Sequence, residues 1–431
     1  MKFPHLVAIF FFCAWLFLGL NLSQTDGLTF DEPIHLKAGK LFNQGIYTFD
    51  PMETPLIRLI VARAGELNRL AVVSLTGLLL IYISNFLDLK SKFIFYFLAL
   101  TEVNLLAHGH LFTTDLISSL FAFLFFLHIS RNKPNKYLTF VFFALSLASK
   151  VATLAFIFPI CLIYHKKLKP SEWLFSVLCS LIFIWATYGF TFLPIVSNST
   201  TIYPLGGYIR TIKENILFSL RGQPIYFFDQ IYQKSPWWKT PLILLIKIPF
   251  PLLLVFILTV RRNLNKSIYL IFLFYLTIQS FKSLNFGIRH LLIIDLALIF
   301  YLSKVRQHPL ILSLSLLLFC ANYPYFISFV NPYVSRQELI LSDSDLDWGQ
   351  GLPAIRDYAS KNNLFNFQLA YFGTDNPSRY LQKFDLVTDS IDFSRPIFIS
   401  ATCFHTCNLQ NLNLLKKRSY TLIGGSILYF P

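Results

Sequence analysis

Thr29-Phe30-Asp31-Glu32-Pro33-Ile34-His35, continued by Gly45-Ile46-Tyr47 and by Glu53-Thr54-Pro55-Leu56-Ile57-Arg58, is the stretch that decides how this chain is read. Two adjacent carboxylates, a histidine one helical turn after the first, and a third carboxylate followed by an arginine all fall between Asp31 and Arg58. On either side lies an apolar run of membrane-spanning length. The stretch must therefore sit against one bilayer face, where charged groups are costly and mark function.

Composition agrees with that placement. By length alone, 431 residues would allow two or three soluble domains. But 55% hydrophobic residues and 47 Phe leave too little polar surface for a soluble globule of this size, and the mean hydropathy is +0.56. The formal charge of +15 is what basic cytoplasmic loops give a membrane protein. No basic stretch carries a nucleic-acid-reading motif, so nucleic acid is not an expected partner.

Apolar runs of roughly twenty residues predict spans near 4–22, 68–87, 93–107, 112–130, 171–193, 240–260, 267–281, 289–303 and 309–328. The run from Tyr137 to Tyr164 is too long for one helix, and Ser149-Lys150 interrupts it, so two short helices meeting at Lys150 are expected. The total is about eleven. Met1 to Leu22 has the basic start and apolar run of a signal peptide. No small-residue cleavage site follows, and the segment reads as a retained first helix.

With the N-terminus inside, the cytoplasmic loops hold Lys90 and Lys92; Arg131, Lys133 and Lys136; Lys166, Lys167 and Lys169; Arg261, Arg262 and Lys266; and Lys304 and Arg306. Only Asp88 and Glu172 oppose them, which is the positive-inside bias. An odd number of spans then puts the first loop (23–67), Asp115, Lys150 and everything after residue 330 on the outer face. Residues 1–330 form a transmembrane module, expected as a multi-pass protein of the cell inner (plasma) membrane. Residues 331–431 are more polar, with an amphipathic helical pattern at Leu352–Asn362 and strand-like stretches at Phe365–Phe372, Pro396–Ala401 and Thr421–Phe430. They are expected to form a small extracytoplasmic α/β domain.

The candidate chemistry collects on that outer face. Asp31 followed by Glu32-Pro33 has the form of a helix N-cap, with Gly45 as the stop. Capping does not account for the neighbouring acids Glu32 and Glu53 or for His35, and a carboxylate here can act as general base toward a hydroxyl. His108 and Asp115 open the fourth span. Asp115 could also be only an N-cap, but it emerges on the face of Asp31, and Glu102 and Asn104 in the preceding span point to a cavity. Arg58, Lys150 and the pair Arg289-His290 supply positive charge at the same level, although span-end cations often only snorkel. Asn285-Phe286-Gly287 breaks the helix before Arg289, and a guanidinium held at a helix start suits a phosphate.

Asp343-Ser344-Asp345-Leu346-Asp347-Trp348-Gly349-Gln350 begins like a calcium loop. The glycine comes one place late, however, and Ala354 stands where the bidentate glutamate belongs. Cys403 and Cys407 flank His405 without the second ligand pair of a zinc site, and a short-loop disulfide is the expectation.

Taken together, these motifs resemble the GT-C-fold, lipid-carrier-dependent glycosyltransferases of the protein-mannosyltransferase-like (family 39-like) group, in a bacterial branch with a C-terminal soluble domain. The resemblance rests on Phe30-Asp31-Glu32-Pro33-x-His35-x-x-Ala38-Gly39, Gly45-x-Tyr47 and Glu53-x-Pro55-Leu56. It continues through Ala107-His108-Gly109 to Asp115, Ala148-Ser149-Lys150, Pro236 to Leu242, Gly287 to Leu292, and Asp343 to Gln350 with Tyr371-Phe372-Gly373. The departures are Thr54 in place of a second proline, Asp345 for Asn, Gly351 for an acid and Ile293 for Pro. None removes a charged candidate.

The resemblance implies an inverting transfer of a sugar from a polyprenyl-phosphate carrier to an acceptor hydroxyl of a lipid, glycan or protein at the outer face. Asp31 would be the base, with Glu32 and Asp115 as further catalytic acids. His35, Glu53, Arg58, His108, Lys150, Arg289 and His290 would bind substrate. It implies no cofactor; a divalent metal is possible there but not expected. The rival class is a polytopic transporter or lipid flippase, which should show internal repeats and paired broken helices. Neither is visible in the sequence, and keeping every acid of the first loop argues against a non-catalytic scaffold.

Overall fold

A computed structural model describes residues 3–197, 199–263, 266–284, 287–305 and 309–431. Asn285, Phe286 and Arg306, invoked above, lie outside these. Helices, some of them broken, occupy each of the apolar stretches read from the sequence. Among the described residues, Phe3–Thr25, Gly65–Ser84 and Pro170–Thr187 are each long and apolar enough to cross a membrane alone. The bundle closes around Asp115–Ile129, in which every residue except Ser119 is buried. A helix apolar on all sides belongs at such a centre.

Several spans are interrupted, each for a local reason. The 137–164 run divides into Lys136–Ser149 and Leu154–Tyr164, with Lys150 in an extended conformation between them. The expected span 93–107 is also two helices. Leu89–Thr101 stops at Glu102, whose carboxylate caps the next helix by accepting from Leu105 N–H. The stretch 240–260 is a bent pair rather than a straight helix, with Lys239–Lys247 and Phe250–Ile257 meeting at 110°. Pro249 has no N–H to continue the ladder. Asn331 fills the gap: its amide donates to the carbonyls of Ile246 and Ile248 and accepts from Phe250 N–H.

The first loop contains two helices, Glu32–Asn43 and Pro55–Ala62. They cross so closely that a Cβ on Gly39 would lie 2.4 Å from the Arg58 carbonyl oxygen. After residue 330 comes a five-stranded mixed sheet in the order Phe384–Leu386, Phe367–Ala370, Ile397–Ser400, Ile427–Phe430, Thr421–Ile423. The first three strands are parallel and the last two antiparallel to their neighbours. Helix Leu352–Lys361 packs its apolar face on this sheet. The expected strand 421–430 is a hairpin turning at Gly424 and Gly425, both at positive φ. The short helix Ala401–Thr406 begins directly after the strand Ile397–Ser400, and Cys403 and Cys407 are disulfide-bonded across its end.

This small domain is stitched to the first loop. Gly27 N–H donates to the Gln350 carbonyl and Phe30 N–H to that of Trp348, while Thr374 Oγ1 donates to the Phe30 carbonyl. The Phe30 and Phe372 rings stack at 5.2 Å.

Candidate active site

Between the helical module, the first loop and the C-terminal domain lies a cavity of about 850 Å³. Asp31, His35, Glu53, Arg58, Lys150, Arg289 and His290, all foreseen from sequence, line it. Asp31 and Arg289, 258 positions apart, meet there.

Asp31 stands at the N-cap position of Glu32–Asn43, but its side chain makes no capping hydrogen bond. Instead its Oδ2 accepts from Arg289 Nη1 at 2.5 Å. Arg289 stacks over the Trp348 ring, 4.4 Å from its centroid, with Asp115 3.8 Å away. Its backbone is set by the turn Gly287–Leu291, where Ile288 N–H donates to Asp345 Oδ1. Gly287 has φ +70°, and a Cβ there would overlap the Asp345 carboxylate, so only glycine permits this seat.

Asp115 is the anchor of the cationic floor. It is buried, does not cap its own helix, and holds Lys150 Nζ at 2.5 Å, with His290 Nε2 at 3.7 Å. Lys150 also reaches Glu53 at 3.2 Å, and Glu53 accepts from Thr114 Oγ1. Asp115 borders a side recess rather than the main cavity.

Arg58 and His35 form a second buried unit. Arg58 Nε donates to His35 Nδ1 at 2.9 Å, and its Nη2 pairs with Asp50 at 2.5 Å. A donor on Nδ1 places the ring proton on Nε2. Burial, reinforced by the Arg58 charge, holds the His35 pKa well below its ordinary value, so the imidazole is neutral at physiological pH.

Two candidates sit elsewhere. Glu32 is fully buried and does not line the cavity. It accepts from Arg69 Nε and Nη2 at 2.9 and 2.7 Å, from Thr29 N–H and hydroxyl, and from Phe112 N–H. Burial pushes its carboxyl up, but Arg69 and the backbone donors outweigh that and hold it below the ordinary value. Arg69 also donates to the carbonyls of Ser23, Asp26 and Gly27. This is a clamp for the first loop, not a reacting group. His108 is buried away from the main cavity, 6.0 Å from the Trp348 ring, and its Nδ1 has no hydrogen-bond partner among the described residues.

Sequence reasoning passed over four contributors: Asp50, Lys282, Asp343 and Trp348. Lys282 lines the cavity without an ion-pair partner among the described residues, and burial, aided by Lys150, lowers its pKa to about 8. Its only signal in the sequence was a lysine just past an apolar span. The Asp343–Gln350 run was read as an incomplete calcium loop and as one of the blocks of the resemblance, with no role given to Asp343 or Trp348. Asp345 holds Ile288 N–H, Asp347 holds Thr402 N–H, and no group of three or more metal-ligating side chains converges among the described residues.

In chemical terms, the site holds a carboxylate beside a guanidinium and a lysine, with an apolar flank. Leu154, Ile216 and Leu220 line the cavity and are exposed, which gives it an apolar flank. Against solved structures, the chain superposes on ArnT from Cupriavidus metallidurans bound to undecaprenyl phosphate, with a TM-score of 0.55 over 99% of this chain and 98% of that one. The two chains share a fold. At 10% identity the likeness to ArnT concerns architecture alone. It is the GT-C-like polytopic helical fold with a small C-terminal sheet domain that the sequence led us to expect. No family model matches the sequence, and no curated protein matches it either.

Proposed function

We propose that this protein is an inverting glycosyltransferase that moves a sugar from a polyprenyl-phosphate carrier to an acceptor hydroxyl. The observation that carries the reading is the pairing of Asp31 with Arg289 in a cavity floored by Lys150 and bounded by an apolar flank. The neighbour ArnT, solved with undecaprenyl phosphate, supports a polyprenyl carrier.

The lipid tail would lie along Leu154, Ile216 and Leu220, bringing the phosphate to Arg289, Lys150 and Lys282. Asp31 takes the proton of the acceptor hydroxyl. The acceptor oxygen attacks the anomeric carbon, the bond from that carbon to the phosphate oxygen breaks, and the electron pair leaves with the carrier phosphate. Arg289 and Lys150 meet the charge that develops there, which is where a phosphate leaving group needs help. Glu53 and Asp115 keep Lys150 in position, and neutral His35 with Arg58 lines the sugar side. On this reading no metal is needed. Its setting is the inner membrane with the site facing outward, as the basic-loop bias suggests.

Purified protein in lipid nanodiscs, supplied with polyprenyl-phosphate-linked sugars and candidate acceptors, should release free polyprenyl phosphate in step with glycosylated product. Movement of intact donor between vesicle leaflets without cleavage would instead establish the flippase reading.

A further inference from the structure

Asp343 belongs to the C-terminal domain, yet it lines the same cavity and its charge acts on both Arg289 and Asp31. Its backbone has φ +53°, a left-handed conformation that costs a non-glycine residue roughly 1–3 kcal/mol unless the surroundings enforce it. Here they do. Asp343 N–H donates to Thr402 Oγ1 at 2.8 Å, and its carbonyl accepts from Leu346 and Asp347 N–H at 2.9 and 2.8 Å. One carboxylate oxygen, Oδ1, accepts from Ser344 N–H at 2.7 Å. The other has no hydrogen-bond partner among the described residues and is open to the cavity. Ser342, Ser344, Thr402 and Thr406 also line this wall, which is polar where the flank is apolar.

We propose that Asp343 binds a hydroxyl of the donor sugar and so makes the C-terminal domain the sugar-reading wall of the site. The inference rests on the glycosyltransferase reading above. A lipid-linked sugar has one apolar end, one anionic joint and one hydroxyl-rich end. The cavity presents an apolar flank, a cationic floor and this wall. A carboxylate fixed by its own backbone accepts charge-assisted hydrogen bonds from a sugar hydroxyl with little further ordering. It also cannot serve the phosphate, which it repels.

The test is binding of two ligands to full-length protein in nanodiscs: polyprenyl phosphate alone and its sugar-linked form. The parent should bind the sugar-linked form more tightly. Asp343→Ala should bind bare polyprenyl phosphate at least as tightly as the parent, since a repelling charge is gone, and weaken the sugar-linked form by about tenfold or more, the worth of a hydrogen bond to a charged group. Asp343→Asn tolerates the left-handed backbone and keeps an acceptor oxygen, so it should fall between the two and controls for folding. One deoxy-sugar donor should lose that same factor with the parent and lose nothing further with Asp343→Ala. If Asp343→Ala matches a parent that does respond to the sugar, or weakens both ligands equally, the assignment of Asp343 is overturned while the donor reading stands. A parent that gains nothing from the sugar overturns the donor reading and this role with it.

Discussion

Adjacent carboxylates Asp31 and Glu32 should respond to neutralisation in opposite ways. Asp31 lines the cavity, its side chain is 27% exposed, and its bond to Arg289 is the one polar contact that side chain makes among the described residues. Asp31→Asn keeps the volume and one acceptor oxygen, and Arg289 retains Asp115 at 3.8 Å. The stability cost is therefore about 1 kcal/mol, while loss of a general base removes roughly 10²–10⁴ in rate. Glu32 is the reverse case. Its five donors all point at acceptor oxygens inside the protein. Glu32→Gln turns one acceptor into a donor facing donors and leaves the Arg69 charge uncompensated. Breaking a buried pair in this way costs about 3–5 kcal/mol.

The pH dependence separates the two further. The folded-state pKa of Glu32 lies below its ordinary value of 4.5. The stability it contributes is thus fully present above pH 4.5 and is lost as pH falls through the folded value. Glu32→Gln should lose that acid-side slope along with the stability. Thermal unfolding in nanodiscs and single-turnover transfer, measured on both variants, test the contrast. Near-parental turnover in Asp31→Asn would show the carboxylate is not the base. An Asp31→Asn variant that fails to fold, beside a stable but inactive Glu32→Gln, would invert the assignment.

Arg289→Lys should keep measurable turnover at saturating donor and Arg289→Ala very little, because lysine retains the charge but not the two-pronged geometry; near-parental rates in both would move the phosphate site to Lys150 or Lys282. Reporter fusions placed after Lys136 and after Asn331 should report opposite sides of the membrane, and the same side for both would overturn the topology. Cys403 and Cys407 should resist thiol labelling in denatured, unreduced protein and label after reduction, while quantitative labelling without reductant would show them free.

What the sequence disclosed and what it withheld follow from the range of the interactions. Apolar runs and basic loops are local and additive, so the helical stretches, the break at Lys150 and the polar C-terminal domain were all legible. The break at Glu102 was overlooked although its cap is local, three residues on, whereas the bend at Pro249 depends on a distant partner that takes over orphaned backbone groups. For Pro249 that partner is Asn331, more than eighty residues away. The acids of the first loop could be seen to matter, but their roles could not be told apart. Glu32 is set apart chiefly by Arg69, 37 residues on, and Phe112, 80 residues on, and Asp31 by Arg289, 258 residues on. Asp343 and Lys282 were missed for the same reason: nothing near them in sequence shows that they face a cavity.

The run Asp343–Gln350 ties the small C-terminal domain to the groups that meet in the cavity. Asp345 accepts from Ile288 N–H and so seats the Arg289 turn, and its own carbonyl accepts from Lys247 Nζ, buried beside the bend of the helix pair. Trp348 lies under the Arg289 guanidinium, while its carbonyl holds Phe30, the residue before Asp31. Through these contacts the run sets both the guanidinium and the carboxylate that meet in the cavity, which Asp343 also lines. A site built within the bundle alone would leave Arg289 on a short turn and Asp31 on a loop, each free to shift. Because both are tied to one stretch, their separation is set in advance, and on the proposed glycosyltransferase reading positioning of that kind is a large part of what transfer to a hydroxyl would require.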